Sequence, residues 1–223
     1  MTEPRGTGDD VDANLLCDPA QKEELENANA VDQIDCISYL VNEMGVVDLR
    51  ESHVVELQRL AVSGIYPCAG RYRDALKKVY IQNSEHKIAD AAAIPGLVRE
   101  ATTWINDQRS ARSPLERAAY ALWRFNWIHP FAGGNGRTSR AIAYLIVCAE
   151  NKAMIPGDVA MPELILERRD EYIDALREVD RSAIERPDDV DFGAMTKLLQ
   201  DVLTRQMAMA IARLAQAPKS RPR

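Results

Sequence analysis

The chain has 223 residues, of which 46% are hydrophobic, and its formal net charge is −6. This length and composition suit one well-buried domain, and the acidic balance argues against general nucleic-acid binding, which needs a basic face. The four cysteines lack Cys-x-x-Cys spacing and no window reaches the length of a membrane span, so we predict neither a zinc site nor a membrane protein.

The N-terminal segment, residues 1–18, is polar and acidic, and we predict that it is disordered. It has no apolar signal-peptide core, so we expect a cytoplasmic protein, while delivery by a non-classical secretion route stays open. Over 20–44, apolar residues recur at three- and four-residue steps until Gly45, which predicts an amphipathic helix or a kinked pair. A second amphipathic helix is predicted over 48–62, ending at Ser63-Gly64.

Two short β-favouring runs follow, on either side of a polar segment. The runs contain Val79, Tyr80 and Ile81, and then Lys87 and Ile88. This pattern predicts a small β-hairpin. The next predicted helix covers 94–108 and carries its apolar residues on one face.

The helix that begins after Ser113 has the clearest start in the chain. Ser113 and Glu116 have capping-box spacing, and Pro114 occupies the first helical position. The helix pattern continues to His129, where Pro130 cannot continue the hydrogen bonding. We therefore expect His129 at a helix-to-loop boundary.

The loop after His129 is rich in glycine and is followed by two arginines. Gly133, Gly134 and Gly136 give the backbone access to positive φ and to close approach by a ligand. Arg137 and Arg140 lie three residues apart in the first turn of the next helix, where the free N–H groups already favour negative charge. This arrangement predicts a polyphosphate site; the alternative is an ordinary helix-turn-helix with surface arginines.

Further helices are predicted over 164–180 and 191–214, before a basic C-terminal tail at 216–223. We predict a single all-α domain over 19–215. It is a helical bundle around the core helix that starts at Gly136, with one small β-hairpin.

The segment His129 to Arg140 closely resembles the motif of Fic-domain proteins, His-Pro-Phe-x-Asp/Glu-Gly-Asn-Gly-Arg-x-x-Arg. It matches every fixed position except one, because Gly133 stands where the family has an acidic residue. The segment from Tyr66 to Arg73 is similar to the family's Pro-x-Ala-Gly-x-Phe/Tyr-Arg, and Tyr172 begins a match to its Tyr-x-x-x-Leu helix. The resemblance covers roughly residues 24–203.

The resemblance implies an enzyme that transfers AMP from ATP to a Ser, Thr or Tyr hydroxyl of a target protein. His129 would be the general base, a role suited to an imidazole that titrates near neutrality. Phe131 would anchor the loop in the core. The groups that would hold the nucleotide and its phosphates are Gly134, Asn135, Gly136, Arg137, Arg140 and Tyr172, although Tyr172 could equally be a core aromatic.

The resemblance also implies how such an enzyme would be regulated and would bind its target. Leu25-Glu26-Asn27 is similar to the end of the family's inhibitory motif, so Glu26 on the helix over 20–44 would bind Arg140, although Lys22 replaces the motif's Ser or Thr. The predicted hairpin would be the flap that lies over the active site and pairs with the target's backbone. A separate antitoxin, as in a toxin-like system, and a homo-oligomer both stay open.

The resemblance implies Mg²⁺ as the metal, but Gly133 puts the metal and the donor in question, because Mg²⁺ is normally tied to a protein by one or two carboxylates plus the substrate's phosphates. The chain could be a slower AMP transferase, a Fic enzyme that uses a different phosphate-containing donor, or a nucleotide-binding protein with little catalysis. If Gly133 is only a lost metal ligand, a carboxylate placed there should raise the transfer rate. If the loop has adapted to glycine, it should not.

Overall fold

The computed structural model describes residues 15–74 and 88–216. The α-helices in these ranges are α1 (Lys22–Ser38), α2 (Glu51–Ala61), α3 (Ile94–Asp107), α4 (Pro114–Ile128), α5 (Asn135–Asn151), α6 (Met161–Glu167), α7 (Arg169–Glu185) and α8 (Gly193–Gln216). No strand of more than one residue occurs in the described ranges, where Tyr72 and Phe131 form an isolated antiparallel bridge. The predicted all-α class is confirmed.

Helix α5 lies at the centre of the bundle. All its residues from Thr138 to Cys148 are buried, and α4 packs along it more extensively than any other helix does. Helices α1, α2 and α6 also contact α5. A helix with apolar residues on every side is stable only when other helices cover it, so the bundle forms around α5 and fixes where its N-terminus lies.

Helix α1 is held on α2 by buried side-chain amides. The Gln33 Nε2 group donates to the Leu57 carbonyl at 2.7 Å, and the Asn29 Nδ2 group donates to the Ser63 carbonyl at 2.9 Å. The Ser63 carbonyl lies just past the C-terminus of α2 and has no partner within that helix, so the Asn29 bond satisfies a group that α2 cannot satisfy itself. The two bonds fix α1, and with it Glu26, beside the end of α2.

Two of the predicted helices differ in detail from those observed. The segment predicted over 20–44 is a 3₁₀ turn (Pro19–Gln21), α1 and a π turn (Tyr39–Glu43), and Gly45 follows with φ 57°. The helix predicted over 164–180 is divided into α6 and α7 at Arg168, whose backbone leaves the helical region (φ −108°, ψ 37°). Arg168 contacts Asp201 of α8 at 3.6 Å, a long-range contact that apolar periodicity does not reveal.

Parts of the sequence predictions lie outside the described residues. These parts are residues 1–14 of the N-terminal segment, residues 217–223 of the C-terminal tail, and Val79, Tyr80, Ile81 and Lys87 of the hairpin. Ile88 is described and has no regular secondary structure. Among the described helices, none combines the length and apolarity that crossing a membrane requires.

Candidate active site

His129 lies where α4 ends, as the sequence predicts. Its backbone adopts the left-handed conformation (φ 50°, ψ 60°), and its N–H donates to the Phe125 carbonyl at 3.0 Å. Histidine is among the few non-glycine types enriched in this conformation, and Pro130 prevents further helix. The side chain is only 7% exposed, so the end of α4 holds the imidazole in a nearly closed environment.

Arg73, which the sequence analysis did not select, fixes the backbone at His129. Its Nε donates to the His129 carbonyl at 2.7 Å, and its Nη2 donates to the Ala89 carbonyl. The Arg73 N–H also donates to the Pro130 carbonyl at 3.0 Å. Arg73 is buried, and hydrogen bonds from a charged donor in a buried site are stronger than neutral ones. The only sequence signal for this contact was the family-like segment that ends at Arg73.

Phe131 is fully buried, in agreement with an anchoring side chain. Its ring lies 5.3 Å from that of Tyr72, whose hydroxyl donates to Glu51 Oε1 at 2.9 Å. Burial, together with this hydrogen bond to Glu51, raises the pKa of the Tyr72 hydroxyl. Tyr72 is therefore a neutral hydrogen-bond donor that holds its ring against the loop.

Asn135 differs from its predicted role as a phosphate ligand. Its Oδ1 accepts from the Phe131 N–H at 2.9 Å, and its Nδ2 donates to the Phe131 carbonyl at 2.9 Å. The residue is only 2% exposed, so its amide closes the loop on itself instead of facing a ligand. Asparagine commonly hydrogen-bonds nearby backbone in turns, but this tendency does not specify which backbone groups it bonds.

The two adjacent glycines of the loop are needed for different reasons. Gly134 has φ 77°, and a Cβ there would lie 2.5 Å from Val62 Cγ1. Gly133 does not have a positive φ, but a Cβ there would lie 2.9 Å from Cε2 of the buried Tyr66 ring. A side chain at position 133 would therefore require the Tyr66 ring to shift.

Arg137 and Arg140 extend from the first two turns of α5 into different surroundings. Arg137 Nη1 donates to the Ala61 carbonyl at the end of α2 at 2.7 Å, and its Nη2 lies 3.5 Å from Glu26 Oε1. The family resemblance pairs Glu26 with Arg140, whereas the structure places the Glu26 carboxylate beside Arg137. Arg140 is only 3% exposed and lies close enough to Tyr172 for its charge to act on that hydroxyl.

Tyr172 is a core aromatic, which was the second of the two readings that the sequence left open. It is 5% exposed, and its hydroxyl accepts from Asn126 Nδ2 at 2.9 Å. The same Nδ2 group donates to Ser139 Oγ at 2.9 Å. Burial raises the pKa of Tyr172, and the positive charge of Arg140 opposes that rise. The Asn126 amide thus links Tyr172 of α7 to Ser139 in the first turns of α5.

The donor set around the loop does not fit a magnesium ion held by the protein. No cluster of three or more metal-ligating His, Cys, Asp or Glu side chains occurs within 15–74 and 88–216. Gly133 provides no carboxylate, and a Cβ at that position would lie 2.9 Å from Cε2 of the Tyr66 ring. Mg²⁺ prefers oxygen ligands, and a protein usually supplies at least one carboxylate.

Together these residues combine a proton acceptor with a cationic helix start. The imidazole of His129 and the N-terminus of α5 are separated by one short loop, whose backbone is fixed by Arg73 and Asn135. A helix N-terminus with two arginines favours an anion. The arrangement suits proton removal next to a bound phosphate group.

Comparison with known proteins gives the same family as the motif. Residues 48–147 match the family model described as the Fic/DOC family. "Protein adenylyltransferase fic-1" of Caenorhabditis briggsae is 47% identical over 45 residues, which are 20% of this chain and 9% of that protein. "Protein adenylyltransferase Fic" of Drosophila persimilis is 32% identical over 91 residues, 40% of this chain and 17% of that protein. The matches thus span less than a fifth of these relatives' length.

Solved structures of Fic proteins share the fold. Fic-1 (residues 134–508) of Caenorhabditis elegans superposes with a TM-score of 0.69 at 20% identity, covering 90% of this chain and 55% of that one. A Fic-domain signaling protein of Bacteroides thetaiotaomicron gives a TM-score of 0.61 at 19% identity, covering 89% and 73%. The resemblance to Fic-domain proteins is confirmed.

Proposed function

We propose that this chain, which carries a Fic domain, transfers AMP from ATP to a Ser, Thr or Tyr hydroxyl of a target protein. The observation that carries the proposal is the position of His129, held at the left-handed end of α4 one short loop before the N-terminus of α5. A site that only binds phosphate has no need for an imidazole there. The relatives named as protein adenylyltransferases support the same activity.

In the proposed reaction, His129 accepts the proton of the target hydroxyl as its oxygen attacks the α-phosphorus of ATP. A bond forms between that oxygen and the α-phosphorus, and the bond from the α-phosphorus to the bridging oxygen breaks. Pyrophosphate leaves with the negative charge. The N–H groups at the start of α5, including those of Gly134 and Gly136, and the guanidinium groups of Arg137 and Arg140 would stabilise this charge.

The divalent metal has no step in this proposal, because the described donor set does not provide a carboxylate at position 133. The chain's own groups must then carry the stabilisation of the phosphates. A protein carboxylate is what normally ties Mg²⁺ to such a site. Lowering the Mg²⁺ concentration should therefore reduce the rate of AMP transfer by this chain less than it reduces the rate of a relative that has the acidic residue.

The test is incubation of the protein with α-labelled ATP, in lysate and alone, followed by detection of label on protein. His129→Asn is the matched variant, because asparagine tolerates the left-handed backbone of position 129 but is not a base. We expect the wild type to label protein and the variant to be slower by roughly 10²- to 10⁴-fold. Equal labelling by the two proteins would remove His129 from the mechanism. Absence of wild-type labelling would contradict AMP transfer.

A second function is favoured by one observation, namely that a Cβ at position 133 would lie 2.9 Å from Tyr66 Cε2, so an acidic residue there would require the ring to shift. A loop shaped in this way could receive a different phosphate-containing donor, or bind a nucleotide without transfer. Parallel reactions with α-labelled GTP, CTP and UTP distinguish these alternatives. Label from another nucleotide would identify the donor, and calorimetric binding of ATP without any label would indicate a binding protein.

A further inference from the structure

Gln58 of α2 joins the two segments that form the site. Its Nε2 donates to the Gly133 carbonyl at 3.0 Å, and its Oε1 accepts from the Gly70 N–H at 2.7 Å. The two bonds reach across 75 and 12 residues of sequence, and Gln58 is fully buried. One side chain therefore connects the glycine-rich loop with the segment from Tyr66 to Arg73.

These bonds define how the Gln58 amide is oriented. Its NH₂ group must face a carbonyl and its oxygen must face an N–H, so rotating the amide by 180° would lose both bonds. In a buried site, a polar group left without a partner loses its hydration and destabilises the fold. The amide therefore holds the Gly133 carbonyl in one direction.

The direction of the Gly133 carbonyl also determines that of the next N–H. A trans peptide is planar and its C=O and N–H point in opposite directions, so a Gly133 carbonyl that faces α2 makes the Gly134 N–H face away from α2. Glycine itself cannot impose this choice, because Gly134 at φ 77° belongs to a residue type with access to many conformations. Gln58 thus supplies a constraint that glycine itself cannot supply.

We propose that Gln58 is a positioning residue of the active site, which orients the Gly133–Gly134 peptide and thereby one of the N–H groups that receive phosphate. The inference rests on the proposed function for its catalytic consequence, but its structural consequence does not need the enzyme to be active. Gln58 acts through the loop and does not itself contact the nucleotide.

The test compares Gln58→Met with the matched control Gln33→Met. Gln33 is also buried, and its Nε2 also donates to a backbone carbonyl, that of Leu57, but it does not touch the loop. Both variants should lose stability, and Gln58→Met should lose more because it removes two hydrogen bonds to the backbone whereas Gln33→Met removes one. Only Gln58→Met should speed amide hydrogen exchange over residues 129–136, and it should lower kcat/KM for ATP by about 10²-fold, as misplaced site groups do.

Gln58→Glu gives a second, reversible test. A protonated carboxyl can donate to the Gly133 carbonyl and accept from the Gly70 N–H, so the acid form replaces both bonds, whereas the carboxylate cannot donate. Burial raises the pKa of such a carboxyl, so the native contacts are present below its unfolded pKa and are lost as pH rises through its folded pKa. Loop exchange, compared with wild type at each pH, should be normal at low pH and fast at high pH.

The outcomes separate the two proposals. Faster loop exchange in Gln58→Met than in Gln33→Met, with recovery of Gln58→Glu at low pH, supports the positioning role. Equal loop exchange in the two methionine variants, or no pH dependence in Gln58→Glu, overturns it. If the wild type itself transfers no AMP, the proposed function fails, and the exchange measurements still decide the role of Gln58.

Discussion

The two ends of α4 are fixed by opposite kinds of interaction. At its start, the Ser113 hydroxyl accepts from the Glu116 N–H at 3.2 Å and the Glu116 carboxylate accepts from the Ser113 N–H at 2.9 Å. At its other end, the His129 carbonyl accepts from Arg73, a residue 56 positions earlier in the chain. The first end is exposed and local, and the second is buried and held from a distance.

This difference separates a helix boundary from a functional site. A capping box satisfies orphan N–H groups with side chains three residues apart, so any chain segment with these residues can form it. The left-handed backbone of His129 is less common, and conformations of this kind persist where the surrounding structure determines them. Arg73 and the Asn135 amide provide that determination.

The largest expected effect comes from Arg73→Met, which removes the contacts that hold the C-terminal end of α4 at His129. The carbonyls of His129 and Ala89 would lose a buried charged donor, and orphaned buried groups of this kind cost about 1–3 kcal/mol each. We expect the free energy of unfolding to fall by roughly 3 kcal/mol or more, and AMP transfer to fall by about 10²-fold in the protein that remains folded. Denaturant unfolding and the labelling assay measure the two effects.

Arg71→Met is the control for this variant. Arg71 is two residues away and exposed, and its guanidinium donates to the Pro67 carbonyl at 2.7 Å without reaching the loop. Like Arg73→Met, the Arg71→Met variant replaces one arginine charge by a methionine side chain. Similar losses in the two variants would show that the distant end of α4 does not depend on Arg73.

The sequence could predict the local end of α4 but not the distant one. The capping box needs only Ser113, Pro114 and Glu116 in the right order, and it is confirmed. The same holds for α5, whose apolar run specifies a buried helix. Arg73, by contrast, donates to carbonyls that only tertiary folding brings near, so the family-like segment that ends at Arg73 marks the residue but does not reveal its partners. The resemblance likewise pairs Glu26 with Arg140, whereas the structure places it beside Arg137.

The next effect concerns the loop glycine that replaces the acidic residue. The Cβ of Gly133→Asp would lie 2.9 Å from Tyr66 Cε2, and overpacking a buried site typically costs about 1–3 kcal/mol. We therefore expect Gly133→Asp to lower both stability and AMP transfer. Adding Tyr66→Leu should recover part of the loss, with a coupling free energy of roughly 1 kcal/mol in a double-mutant cycle.

Gly96→Asp serves as the control, because Gly96 lies in the first turn of α3 and a Cβ there meets no atom within 4 Å. A carboxylate near a helix N-terminus is favourable, so this variant should be as stable as the wild type or more so. An increase in Mg²⁺-dependent transfer by Gly133→Asp alone would show that the Tyr66 ring moves aside easily and that position 133 is a lost metal ligand.

Breaking the local end of α4 should cost less and leave the chemistry intact. Ser113→Ala removes the acceptor for the Glu116 N–H, and loss of such a cap costs about 1 kcal/mol. The hydrogen bond from the Ser113 N–H holds the pKa of Glu116 below its usual range. The stability that this bond contributes is therefore present above the pKa of Glu116 in the unfolded chain, and it is lost as pH falls through the pKa of Glu116 in the folded protein. AMP transfer should equal that of the wild type, and a clear reduction would contradict the separation of the two ends.

The smallest expected effect tests whether distance in sequence alone makes a contact strong. Glu26 contacts Arg137 of α5 from α1, but both partners are partly exposed (33% and 13%), and exposed ion pairs contribute about 0.2–1 kcal/mol. Because the carboxylate competes with phosphate for the guanidinium, Glu26→Gln should bind ATP roughly two- to five-fold more tightly by calorimetry, with little change in stability. Glu23→Gln makes the same charge change one turn earlier on an exposed position, so it should leave ATP affinity unchanged. Equal affinities for the two variants would remove Glu26 from regulation of the site, and a much larger gain would show that the pair is stronger than its exposure indicates.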